Sequence, residues 1–122
     1  MALKDLVSDK SSVNEETIEK ILKGRVRYDP MGHEIILTKE GRSLAAVNRA
    51  LLVVVANEGW VYVDESETTG LKPKQISDIT GIKGGTLRPA LRDLADENLV
   101  HSDSGAYRIV AGNLNEIEDR LS

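Results

Sequence analysis

Residues 71–110 read LKPKQISDITGIKGGTLRPALRDLADENLVHSDSGAYRIV, and the rest of the chain is organised around this stretch. Ile76 and Ile79 stand three apart, with Leu71 before them and Ile82 after, which is the spacing of one apolar helix face. Pro73 falls where a first helical turn would begin, and its fixed φ suits that place. Gly81, just past Thr80, has the backbone freedom a helix end needs. A second apolar series then runs through Leu87, Ala90, Leu91 and Leu94 and closes near Leu99. On a wheel advancing about 100° per residue these four share one arc, which leaves Arg88 and Arg92 on the outward side with Pro89 and Asp96 beside them. Thr86 is the expected N-cap, so the helix is expected to start there or one residue earlier. Pro89 then occupies the third helical position, where its missing N–H costs nothing. Gly84, Gly85 and Thr86 lie at the amino end, where unpaired N–H groups and the helix dipole attract a phosphate. Two strands are expected around Asp103-Ser104-Gly105.

The order helix, Gly turn, helix, hairpin resembles the winged helix-turn-helix superfamily. Ile76-Ser77-Asp78-Ile79-Thr80-Gly81-Ile82 is similar to its second helix and turn. Gly85-Thr86-Leu87-Arg88-Pro89-Ala90-Leu91-Arg92-Asp93-Leu94 resembles its recognition helix. Asn98-Leu99-Val100 and Tyr107-Arg108-Ile109 resemble the two strands of its wing. The resemblance covers residues 71–110, together with the preceding helix if that is counted. It implies an exposed helix face that enters a major groove, which is wide enough for one α-helix. Arg88 and Arg92 would read base edges or grip phosphate, or else be a solvated Arg88 and an Arg92 paired with Asp93 or Asp96. Lys72, Lys74 and Lys83 would hold phosphates. Arg108 on the returning strand would reach the backbone or minor groove, although Asp103 at the wing tip repels phosphate.

With 122 residues, 40% of them hydrophobic and 30% charged, the composition suits one soluble domain with a real core. There is no cysteine, so disulfides and Cys-ligated metal centres are excluded, and a reducing cytoplasm is the expected compartment. The amino terminus is charged and polar, unlike a secretory signal. The longest apolar run, Ala50 to Ala56, is far too short to span a bilayer. Net charge is −4, which opposes nonspecific attraction to nucleic acid, but the distribution says more. Residues 71–92 hold Lys72, Lys74, Lys83, Arg88 and Arg92 against Asp78 alone, a local charge of +4. Residues 57–70 and 93–122 carry −4 and −5.

Elsewhere, Met1 to Ser12 is expected to fray. A helix should begin near Asn14, capped by Ser12 or Asn14, with Ile18, Ile21 and Leu22 as its stripe and Gly24 as its end. Arg25–Tyr28 and His33–Thr38 read as a hairpin turned by Asp29-Pro30-Met31-Gly32. Residues 1–42 are thus an N-terminal helix and hairpin extension, and residues 43–122 a winged helix-turn-helix domain with a C-terminal helix, α+β in class. Ser43 to Asn57 reads as a helix with Ser43 as a possible cap. It is apolar nearly all round, so the amino-terminal segment or a second subunit must cover it. Trp60-Val61-Tyr62-Val63 alternates and could pair with the wing as a strand. Asp64 to Gly70 is an acidic loop. Asn113 to Leu121 forms a last helix with Leu114, Ile117 and Leu121 on one face. The cover both helices need leads to the expectation of a homodimer.

No enzyme is visible. His33 and His101 lack ligand spacing, no serine sits in a nucleophile elbow, and Gly84-Gly85 is not a Walker loop. No metal or cofactor is expected. A chain with no Phe, one Trp and three Tyr offers little for stacking single-stranded bases. The sequence therefore points to sequence-specific binding of double-stranded DNA by a small prokaryotic, cytoplasmic transcription regulator. The rival is a winged helix used as a protein–protein adaptor in a transcription or replication assembly, which the acidic balance favours.

Overall fold

A computed structural model of the chain describes residues 10–65 and 69–122. The fraying expected at the amino terminus, for residues 1–9, and the centre of the acidic loop lie outside the described residues. The architecture is α+β, with two small antiparallel sheets of two strands each set around a central helix.

That central helix is α3, Ala46–Glu58, and every residue from Ala50 to Ala56 has no accessible surface. Burying a Val or Leu side chain is worth about 1.5–3 kcal/mol, so this one helix anchors the core. Elements from both ends of the chain pack on it. From upstream come α1 (Lys10–Leu22), β2 (Glu34–Leu37) and α2 (Lys39–Arg42). From downstream come α5 (Pro73–Thr80), α6 (Gly84–Asp96), β4 (Ala106–Ile109) and α7 (Leu114–Leu121). Leu114, Ile117 and Leu121 of α7 are buried, and α7 lies on α1 and α3. Both apolar faces whose need of cover led to the homodimer expectation are therefore covered within one chain.

The amino-terminal extension folds as its residues suggest, with a shifted start. Helix α1 begins at Lys10 rather than near Asn14, because no Gly or Pro interrupts the run from Lys10 to Leu22, and Ser12 and Asn14 lie inside it. Strands β1 (Val26–Asp29) and β2 pair in the register Val26↔Leu37 to Asp29↔Glu34. The Asp29 carboxylate turns the chain by accepting from the N–H groups of Met31 and Gly32. Ser43 does not cap α3. Thr38 starts a separate short helix first, its hydroxyl accepting from the Gly41 N–H at 3.2 Å, and Ser43 closes that turn instead. The residue before α3 is Ala45, which makes no side-chain cap.

Trp60–Val63 is not a strand but a helical turn, α4, continuing from α3. Packing overrides the β propensity of these residues. Trp60 is almost wholly buried, meeting Tyr28 edge-on at 4.9 Å and His33 in a stack at 3.9 Å. The Tyr28 hydroxyl donates to the carbonyl of Ala56, and burial pushes its phenol well above the usual tyrosine range. His33 Nδ1 lies 3.6 Å from Asp64. The hairpin is thus fastened to the carboxyl end of α3. The strand position beside β4 is taken by Leu71, which exchanges two backbone hydrogen bonds with Tyr107, at 3.0 and 2.7 Å.

Strands β3 (Val100–Asp103) and β4 form the second hairpin, with Ser104 and Gly105 both at positive φ in the two-residue turn. Two residues of that kind match the right-handed twist of the flanking strands.

Among the described residues no helix is long and apolar enough to cross a membrane, and no group of three or more His, Asp or Glu could hold a metal ion.

Candidate nucleic-acid interface

Helices α5 and α6 carry the basic cluster, and their sequence dictates both the underside and the join. Ile76 of α5 and Leu87, Ala90, Leu91 and Leu94 of α6 are buried, as the helical spacing requires. The join is held by a short network. Gly81 takes a left-handed φ of 77°, and its N–H reaches the carbonyl of Ser77 at 2.8 Å. The Thr80 hydroxyl donates to the Ile76 carbonyl and accepts from the Ile82 N–H, while the Ser77 hydroxyl donates to the Ile82 carbonyl. The Ser77 carbonyl would otherwise be an orphan at the helix end.

Arg49 of α3 was not legible as part of this arrangement. Its guanidinium donates to the carbonyls of Thr80 (3.2 Å) and Leu44 (3.1 Å), placing a cation at the carboxyl end of α5, where the helix dipole favours it. Its Nε is buried with no partner among the described residues. The only sequence signal is a lone cation at the start of an otherwise apolar run. Gln75 supports the other end of α5, its side-chain oxygen accepting from the Lys72 N–H at 2.8 Å.

Helix α6 begins earlier than the sequence suggests. Lys83 is the N-cap residue, and the N–H groups of Thr86 and Leu87 both bond to its carbonyl. Thr86 is therefore the third helical residue and no cap. The weak helix propensity of Gly hides the true start, yet Gly84 and Gly85 form the first turn of the helix. Pro89 moves with the start and sits inside the helix. Its missing N–H leaves the Gly85 carbonyl, four residues back, without a helical donor. A Cβ at Gly84 or Gly85 would meet nothing within 4 Å, so the backbone of this turn is open to approach from outside.

Nine of the ten expected site residues lie on these two helices and the join. Lys72 precedes α5 and Lys74 is in its first turn, while Lys83 precedes α6. Gly84, Gly85 and Thr86 form the first turn of α6, and Arg88, Pro89 and Arg92 follow on its outer side. All except Gly and Pro positions bear exposed polar side chains, and none of the five cations makes an ion pair with the described residues. Arg92 pairs with neither Asp93 nor Asp96.

Arg108 is placed differently. It leaves β4 toward α3 and grips Glu58 with two hydrogen bonds, Nε–Oε1 at 2.8 Å and Nη2–Oε2 at 3.0 Å. That bond to Glu58 raises its already high pKa, opposed by partial burial. Glu58 is fifty residues away in sequence, so nothing near Arg108 announced the pairing. The guanidinium fixes the second hairpin to the core.

Comparison with protein-family models, with characterised proteins and with solved structures finds no match to this chain.

Proposed function

We propose that the chain is a winged helix-turn-helix protein that binds double-stranded DNA sequence-specifically, as a small prokaryotic transcription regulator. The reading rests on one observation above all. The outer side of α6 presents Arg88 and Arg92 without ion-pair partners among the described residues, above a first turn of bare glycine backbone. Supporting it is the order α3, Leu71 strand position, α5, turn, α6, hairpin, with Leu71 bridging to Tyr107 as the third strand beside a wing. In this reading α6 lies in the major groove with Arg88 at base edges. The N–H groups of Gly84 and Gly85 meet a phosphate, and Lys72, Lys74 and Lys83 hold the backbone on either side. The wing contributes packing rather than contact, since Arg108 is occupied by Glu58 and Asp103 stands at the tip.

That last feature also favours the second reading, a protein–protein adaptor. Titration of random-sequence duplex DNA over a salt series separates the two. The DNA reading expects affinity that falls steeply with salt, and a selection from random duplexes that converges on one preferred site. No binding even at low salt hands α6 to a protein partner. Because α3 and α7 are covered internally, sedimentation equilibrium at micromolar concentration is expected to give the mass of one chain, which reads a single half-site.

A further inference from the structure

The edge of β2 opposite β1 borders a cleft, a space of about 630 Å³ lined by β2, Arg42, Asn57, residues 69–71 and one side of α5. The direction of the β2 edge follows from its register. The Thr38 N–H bonds to the Arg25 carbonyl at 2.9 Å, one step beyond the Val26↔Leu37 pair. Bonded and non-bonded pairs alternate in an antiparallel ladder, so Arg27/Ile36 and Asp29/Glu34 also exchange bonds, while Ile35 and Leu37 turn their N–H and C=O groups away from β1. The Leu37 carbonyl agrees with this, because it accepts from Arg42 Nη1 at 3.1 Å. The Ile35 N–H, the Ile35 carbonyl and the Leu37 N–H have no partner among the described residues, although both residues are buried.

Across the cleft, Leu71 and Tyr107 exchange both of their bonds in an isolated bridge, and Gly70 beside it takes a left-handed φ of 91°. Asn57 also lines the cleft. It is only 8% exposed, and its side-chain amide has no hydrogen-bond partner among the described residues. Glu34 and Asp78 stand on opposite walls without an ion pair to a described residue, while Arg42 in the same lining is held at the Leu37 carbonyl. The Ile35 N–H and C=O, the Leu37 N–H and the Asn57 amide thus line the cleft without a described partner, at a spacing a peptide backbone can match.

We infer that this cleft accepts an extended, basic peptide segment of a partner protein, added as a strand to the edge of β2 opposite β1, beside the Leu37 carbonyl that Arg42 already holds. Main-chain bonds to Ile35 and Leu37 set its register, and the Asn57 amide takes a further peptide group. Alternate residues carry lysine or arginine toward Glu34 and Asp78, and apolar residues toward Leu71 and Ile79. The segment that matches β2 is about four residues, or roughly 13 Å at about 3.3 Å per residue. A polyamide fits this row of donors and acceptors better than a compact small molecule does, and the two carboxylates disfavour nucleic acid.

The test uses the full chain and a defined probe, the blocked peptide acetyl-(Lys-Val)₃-amide. Its twin carries N-methyl groups on alternate backbone nitrogens. Titration followed by amide NMR is expected to give saturable shifts at Ile35, Leu37 and the Asn57 side chain, with slowed exchange of the Ile35 and Leu37 N–H groups. The N-methylated twin should bind about tenfold more weakly, since it loses the main-chain donors that pair with the β2 edge. Reversing the exposed charges with Glu34→Lys and Asp78→Lys together should weaken the probe by about fivefold while the thermal midpoint holds. Three results overturn the proposal. The twin can bind as well as the parent, which marks plain charge attraction. Free lysine amide can reproduce the shifts, which marks a small-molecule site. Or no saturable shift appears up to millimolar peptide.

Discussion

The outer side of α6 and the second hairpin with α7 use arginine in opposite ways. On α6, Arg88 and Arg92 project into solvent and hold no described carboxylate. On β4 and α7, Arg108 is clamped to Glu58, and Arg120 spans Asn48 at 3.0 Å and Glu97 at 2.6 Å. An arginine held by two bonds stitches elements that are distant in sequence. One left unpaired on a rigid, buried-backed helix costs nothing to redirect toward a ligand. The contrast teaches that local net charge alone does not mark an interface, and that the pairing state of each cation has to be read as well.

The harshest way to break this contrast is to remove the platform under the free arginines. Leu91→Ala empties a site that is 1% exposed, and a buried Leu→Ala change costs about 2–5 kcal/mol. A thermal melt should show a midpoint many degrees lower, while Arg88→Ala leaves it in place. An unchanged midpoint for Leu91→Ala would place α6 in the wrong phase.

Next in size is the free pair itself. Arg88→Ala should lose about 1–3 kcal/mol of DNA binding and relax preference at one base position, read by repeating the site selection. Lys74→Ala should instead weaken all sequences alike and lower the salt slope by about one unit. If the two variants behave identically, α6 grips only phosphate.

The committed arginine should show the reverse profile. Arg108→Ala is expected to cost about 1 kcal/mol of stability, since the pair is bidentate but partly solvated. DNA affinity and its salt slope should not move. A drop in the slope would return Arg108 to the interface.

The smallest change sharpens the contrast from the backbone side. Gly84→Ala meets no neighbour within 4 Å and should raise stability by up to about 1 kcal/mol, the helix propensity difference. The same methyl group should weaken DNA binding if a phosphate approaches this turn. A variant that is both more stable and equally tight in binding would show that no ligand comes that close.

What the sequence revealed and what it concealed divide along the range of the interactions involved. The buried faces of α5 and α6 follow from residues three and four apart, and those spacings carry through to Ile76, Leu87, Ala90, Leu91 and Leu94. The start of α6 was obscured because Gly84 and Gly85 are weak local helix formers, and that error carried Pro89 with it. Trp60–Val63 alternates like a strand, yet contacts with Tyr28 and His33, some thirty residues upstream, decide its shape. Of the basic residues, those whose partners are remote could not be told from those with none among the described residues. Arg108 and Lys74 look equally available until Glu58 comes into view.

The dryness of α3 has a consequence for how the molecule comes apart. Residues 14–42 and 69–122 both lay side chains on the same helix, so neither half can leave without wetting it. A boundary at residue 42 separates two stretches of sequence but not two melting units. A fragment beginning at Ser43 would bare part of the hydrocarbon surface of Leu51 to Val55 to water. Hydrogen exchange at the amides from Leu51 to Val55 therefore requires the whole fold to open. Those amides should exchange last and together, at the rate set by global unfolding.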